Sequence, residues 1–213
     1  MVNYNLSDML LTIYDNHFCE PSNSITKGAL SDICCYSKEK ISVSDLSKNK
    51  YYSTENMLPE KAGAVDATSL PSILQTTKCK IGDVLISNIR PYFKKIMYVW
   101  AECGCSTDVL CFSPKSDNLS AYLFCTLYKD QFFNFMVAGS KGTKMPRGDK
   151  QQIMTYNISI PSCKELDRFN CIAIPILTQI EENRKQNVEL TSLRNTLLPD
   201  LISGKIDVDK ILI

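Results

Sequence analysis

The chain has 213 residues, of which 44% are hydrophobic and 22% charged, and its formal net charge is +1. This composition belongs to a folded protein of one domain, or one domain plus an appendage, with enough apolar side chains for a core. Its apolar runs fall far short of the roughly 20 residues of a membrane-spanning helix, which excludes one, and so small a net charge identifies no partner by itself.

Residues 6–18, LSDMLLTIYDNHF, place Leu6, Met9, Leu10, Ile13, Tyr14 and Phe18 near helical spacing, with Ser7 or Asp8 to start a short amphipathic helix. The segment EPSNS, 20–24, breaks it. Residues 25–160 alternate short apolar runs with turn residues. Strands are predicted at 30–35, 50–54, 83–89, 95–100, 108–113 and 156–160. One or two buried helices are predicted across 119–137, where Leu119, Tyr122, Leu123, Leu127, Phe132, Phe133 and Phe135 read as core. The expectation is a compact α+β or β-barrel-like domain.

Charge is unevenly distributed. Residues 76–95 carry a balance of +4 and residues 139–150 a balance of +3, in a chain that is otherwise slightly acidic. Two local basic segments suit a polyanion bound at one place, the alternative being two solvated loops. In the first segment a strand-like VLISNI runs into Arg90, Pro91, Tyr92, Phe93, Lys94 and Lys95, a rigid aromatic and cationic turn. The second, GSKGTKMPRGDK, has three glycines, one proline and four cations, which no regular element accommodates. Such a loop can offer backbone N–H groups and positive side chains to phosphate, although it lacks the spacing of a nucleotide-binding P-loop.

After Pro161 the pattern becomes a heptad seam. Leu166, Phe169, Ala173, Ile176, Ile180, Asn183, Asn187, Leu190, Arg194, Leu197 and Leu201 follow one another at spacings of three and four. Polar residues on such a seam fix register and partner. Pro175 predicts a kink or a helix start, and Pro199 with the following Ser203–Gly204–Lys205 predicts the end. One helix cannot bury this seam alone. It must pack on the N-terminal helix, a second copy or another protein, or fold back on its own domain.

The ten cysteines follow no secretory signal, so they are expected reduced, in the cytoplasm and mostly buried. Their spacing (CC, CGC) and the single His17 are poor material for a structural metal. No catalytic set emerges: His17 has no paired nucleophile, and methyltransferase tetrapeptides and nuclease motifs are absent. These absences point to binding rather than catalysis, with no cofactor.

Six segments, in order, carry a resemblance: YYSTENMLPEKAGAV (51–65), GDVLISNIRPYFKK (82–95), GCSTDVLCF (104–112), GTKMPRGDK (142–150), ISIP (158–161) and LTSLRNTLLPDLISGKIDV (190–208). Together they resemble type I restriction–modification specificity subunits. The resemblance implies an α+β, β-rich DNA target-recognition domain at 20–161, a helical spacer and dimerisation region at 162–213, and an N-terminal helix at 1–19 packing on the spacer. A full subunit of that family has two recognition domains and two helical regions; this chain has one of each and looks like a half-subunit. Two copies would then pair their helices antiparallel and read a bipartite palindrome.

On this resemblance the chain is a non-catalytic subunit that binds double-stranded DNA and methyltransferase subunits, with nuclease/translocase subunits able to join, and without membrane contact. AdoMet and ATP would belong to partner chains. Arg90, Tyr92, Lys94, Lys95, Lys141, Thr143, Lys144 and Arg147 are the expected DNA contacts, with Ser22, Asn23, Lys27 and polar residues of 36–50 as further candidates. Phe169, Ile176, Ile180, Asn183, Asn187, Leu190, Leu197 and Leu201 are the expected dimer or partner interface. The competing readings are a truncated remnant that only binds methyltransferase, and an enzyme with an unusual cysteine nucleophile.

Overall fold

The computed structural model describes residues 2–18 and 26–205. Helix α1 (Val2–Phe18) leads into β1 (Thr26–Ala29), α2 (Leu30–Ile33), β2 (Cys34–Tyr36), β3 (Lys40–Ser42), β4 (Tyr51–Tyr52), β5 (Gln75–Cys79) and β6 (Val84–Ser87). After a 3-10 turn at Pro91–Phe93 come β7 (Ile96–Tyr98), β8 (Cys103–Cys105) and β9 (Val109–Pro114). Helices α3 (Ser120–Tyr128), α4 (Asp130–Ala138) and α5 (Lys150–Met154), strand β10 (Asn157–Ile160) and the 40-residue α6 (Cys163–Ile202) complete the described residues. This is a mixed α+β fold.

Strands β2-β9-β6-β7 form an antiparallel sheet, and β3-β5-β8-β4 a second one in which only β4 runs parallel to its neighbour. Strands β1 and β10 pair separately. The first sheet is covered on both faces, and side chains alternate between them. Val84, Ile86, Ile96, Leu110 and Phe112 point into the main core with α1, α3, α4 and α6. Leu85, Met97, Val109 and Cys111 point the other way, into a smaller core with Met57, Cys79, Cys103 and Cys105 of the second sheet region. Double burial explains why β6 reads as a continuous apolar run. The nine described cysteines are free, six of them buried, acting as small apolar side chains.

Five predicted strands fall on β4, β6, β7, β9 and β10, and the 119–137 helices resolve into α3 and α4. The strand predicted at 30–35 is corrected: Leu30–Ile33 is a helical turn, followed by β2. Leu30 and Ile33, three apart, are both buried, and Asp32 Oδ2 accepts the Ala29 N–H at 2.8 Å, so the backbone is turned rather than extended. The short strands β1, β3, β5 and β8 carry polar or cysteine-rich sequences and escape an apolar-run reading.

Helix α1 starts earlier than expected and buries Leu10, Tyr14 and Phe18 against α3 and α6, while Met9 is exposed. Tyr14 Oη and Thr126 Oγ1 share a hydrogen bond of 2.9 Å. Helix α6 opens on a capping box: Ser162 Oγ accepts the Glu165 N–H, and Glu165 Oε2 accepts the Ser162 N–H at 2.8 Å. Pro175 neither starts nor interrupts the helix; it lies on its exposed face. Pro199 also lies inside the helix, which ends at Ile202 with Gly204 left-handed (φ 72°).

Candidate nucleic-acid interface

The two basic segments meet. Strand β6 ends at Ser87, and Asn88 donates its N–H to Asp108 O at 2.8 Å. Residue 90 is left-handed (φ 51°), and its N–H reaches Pro146 O at 2.8 Å. Arg147 bridges Ile89 in antiparallel fashion, and the Gly148 N–H reaches Asn88 O at 3.3 Å. The glycine loop is thereby stitched along the end of β6. Within it, Lys141 and Arg147 exchange N–H···O bonds of 2.9 and 3.0 Å, closing a small hairpin whose tip holds Gly142 (φ 102°), Thr143, Lys144 and Met145, all exposed. Gly148 has no room for a side chain: a Cβ would lie 2.9 Å from both Asn88 Oδ1 and Ile153 Cδ1.

The turn after β6 is anchored from behind. Pro91 is buried and opens the 3-10 turn, which its fixed φ favours. Lys94 is left-handed (φ 51°) and bonds Asp130 Oδ2 at 3.2 Å; Lys61 bonds the other oxygen at 2.7 Å. This pair, Lys61 foremost, holds the Asp130 carboxyl below the ordinary carboxylate range. Lys95 donates to Thr54 O at 2.5 Å, and desolvation lowers its pKa. Glu60 and Lys61, themselves left-handed, donate their N–H groups to Phe93 O and Lys94 O. Both turn lysines are therefore engaged within the chain. The rings project instead: Tyr92 is 47% exposed and Phe93 37%, their centroids 4.7 Å apart.

Around this junction lies a band of cations. Lys141 pairs with Asp149 at 2.6 Å and Arg147 with Asp108 at 3.1 Å. Asp149 also accepts the Gln151 and Gln152 N–H groups, capping α5; Lys141 and these donors depress its pKa. Beyond Asp108, a cleft of about 380 Å³ is lined by Tyr36, Lys38, Lys40, Thr107 and Lys150. Among the described residues, Lys38, Lys40, Arg90, Lys144 and Lys150 have no ion-pair partner. Lys38, Lys40 and Lys150 were legible as charges; that they line one cleft was not. Lys27 is exposed on β1, and Ser22 and Asn23 lie outside the described residues. His17 is exposed, its Nδ1 donating to Ile13 O at 2.9 Å.

The heptad seam divides. Phe169 and Ile176 are buried in the chain's own core, and Ile180 packs against it. Asn183 donates to Asn3 Oδ1 at 2.9 Å, and Asn3 Nδ2 donates to Ile180 O at 3.1 Å, so a polar seam residue takes its partner from α1 of the same chain. Arg184, oriented by Glu181 of the same helix, ties α6 down by donating to Ala64 O at 2.7 Å. Past this point Asn187, Leu190, Leu197 and Leu201 are exposed, as are Val188, Leu193, Leu198 and Ile202.

The fold is thus a mixed α+β domain with a basic junction of loops at the end of one sheet and a long helix leaving the core. The family model for the type I restriction modification DNA specificity domain matches residues 24–191, well over half of the chain, and the chain belongs to that family. Among solved structures it is similar to the HsdS subunit from Thermoanaerobacter tengcongensis (TM-score 0.53, 14% identity, covering 96% of this chain and 52% of that one). It is similar to the type I S subunit from M. genitalium (TM-score 0.60, 14% identity, 92% and 53%). A chain from a structure on complex assembly and conformational transition of the type I R-M system gives TM-score 0.54 and 16% identity, over 90% of this chain and 52% of that one. This chain thus spans about half the length of these structures. No curated protein matches it.

Proposed function

We propose that this chain is a non-catalytic, DNA-reading half-subunit of a type I restriction–modification system. In this reading, residues 20–161 recognise one half of a bipartite target, residues 162–213 set the distance to the other half, and residues 1–19 brace the spacer. Methyltransferase subunits, and nuclease/translocase subunits with them, are directed to that target in the cytoplasm, and AdoMet and ATP bind on those chains. The observation that carries the reading is the bond from the Arg90 N–H to Pro146 O, which brings two basic segments, distant in sequence, onto one surface. Polyanion binding at one place needs such clustering.

Arg90, Tyr92, Lys141, Thr143, Lys144 and Arg147 supply the outward contacts, joined by Lys38, Lys40 and Lys150. Lys94 and Lys95 act from behind, positioning the turn through Asp130 and Thr54. Most of these groups suit phosphate, which sets register, while Thr143 and Arg147 have the hydrogen-bonding chemistry to read base edges. Two copies associate through the exposed outer part of α6, Asn187, Leu190, Leu197 and Leu201 facing the partner, with Phe169, Ile176, Ile180 and Asn183 holding the helix root in its own domain.

The test is methylation mapping. The chain is co-expressed with its cognate methyltransferase subunit in a methylation-free host, and the DNA is read for modified bases. A new bipartite palindrome that disappears without this chain is the expected result. A split asymmetric motif would indicate pairing with a different half-subunit. A purified two-protein complex that methylates nothing would overturn the DNA-reading function.

A further inference from the structure

The turn after β6 holds its aromatic rings where a phosphate-binding turn has no use for them. Tyr92 and Phe93 are presented side by side, and Val137 and Met145 are exposed as well. Their backbone is fixed by two left-handed non-glycine residues, Arg90 and Lys94, and by bonds from Glu60, Lys61 and Lys95 on the inner side. Left-handed conformations at such residues are unfavourable and persist only where the surroundings enforce them. The outcome is a pair of rings on a stiff support, which loses little freedom on contact.

The surroundings select the partner. Three of the nearby acids are already engaged, Asp130 by Lys61 and Lys94, Asp108 by Arg147 and Asp149 by Lys141, while Glu60, whose N–H bonds Phe93 O, is exposed and has no ion pair among the described residues. Arg90 and Lys144 carry no such partner, and Met145 precedes the residue whose carbonyl holds the Arg90 N–H. An apolar tip rimmed by unneutralised cations complements the bases of a duplex flanked by its phosphates. Apolar side chains that enter the minor groove wedge between base steps and kink the duplex, while cations beside them hold the backbone.

We propose that Tyr92 and Phe93 form an aromatic wedge that partly unstacks one base step of the bound target, making the chain sensitive to how easily that step deforms. The proposal rests on the reading of this face as the DNA surface. A wedge of this kind selects flexible pyrimidine–purine steps without hydrogen-bonding to them.

The test uses the chain in complex with its methyltransferase subunit and a duplex carrying the mapped methylation target, with a dye at each end. Wild-type complex should bend the duplex, seen as increased energy transfer between the ends. Tyr92→Ala/Phe93→Ala should lose the bend and weaken target binding about tenfold or more, with an unchanged dependence on salt. Tyr92→Phe/Phe93→Tyr keeps both rings and should behave as wild type, which separates ring loss from misfolding. If wild type binds the target but the alanine pair binds and bends it equally well, the wedge is wrong although the DNA reading stands. Loss of the methyltransferase complex with DNA bending intact would also overturn the wedge, assigning the rings to a protein contact. Failure of wild type to bind any duplex would instead strike the underlying reading.

Discussion

Replacing Lys144 and Lys150 by alanine removes two ammonium groups that are exposed and have no acidic partner among the described residues. Neither side chain supports the fold: Lys144 lies at the hairpin tip, and it is the Lys150 backbone carbonyl that accepts the Tyr36 hydroxyl at 3.1 Å. The pair therefore isolates electrostatics from stability. Each phosphate neutralised contributes about 0.9 to the slope of log affinity against log salt, so losing two contacts flattens the slope by about 1.8. Between about 50 and about 200 mM salt, that difference shrinks the wild-type advantage roughly twelvefold. Anisotropy titrations of a labelled target duplex, at four or five salt concentrations and with the methyltransferase complex of each form, measure both lines. Parallel lines would remove the hairpin tip and the start of α5 from the interface. As a control, Lys95→Met should leave the slope unchanged, because the Lys95 ammonium is held by Thr54 O.

The Asp130 carboxyl, held below its ordinary range by Lys61 and then Lys94, stabilises the fold when ionised. That contribution is complete above the unfolded-state carboxylate range and disappears as pH falls through the lowered native value; urea midpoints should drop with acid in wild type and less steeply in Asp130→Asn. Leu190→Lys/Leu197→Lys/Leu201→Lys should abolish self-association in sedimentation experiments. The unfolding free energy of the monomer should change by no more than about 0.5 kcal/mol per site, since all three side chains are exposed. In a Cys19→Ser background, a thiol reagent should find three fast groups, Cys35, Cys163 and Cys171, and six that react only on unfolding. Burial pushes Cys34 up to about 12; at Cys111 a hydrogen bond with Cys79 pulls downward, but burial and the nearby Asp83 and Cys105 outweigh it and leave the thiol raised to about 11, so both are poor nucleophiles. A single fast buried cysteine would revive the enzymatic alternative.

The legible parts of the fold were those with a local cause. The VLI run of β6 announced a strand because both of its faces are covered, and the even helical spacing after Pro161 announced α6 because its period is carried residue by residue. Leu30–Ile33 misled because Leu30 and Ile33, followed by Cys34 and Cys35, suit a strand as well as a helical turn, and the choice was made by Asp32 accepting the Ala29 N–H. The capping box at Ser162 and Glu165 was readable and marks the true start of α6, where Pro175 suggested a later one. Strands such as KIS and CGC gave no signal because their partners, not their own composition, make them strands.

For the site, sequence alone determined the inventory: two short basic segments, a stiff aromatic turn, a glycine loop and a heptad seam, since charge, ring count and period belong to the chain itself. Tertiary structure decided how that inventory is used. The hydrogen bonds joining residues 88–90 to 146–148 made one surface of two segments. Asp130 and Thr54, far from the turn in sequence, drew Lys94 and Lys95 inward and left Tyr92 and Phe93 facing out. Asn3 engaged Asn183, so the seam is satisfied within the chain up to that point and open beyond it. Each outcome depends on a partner more than 30 residues away, and no local pattern specifies which of several polar or apolar neighbours a side chain will meet once the core has closed.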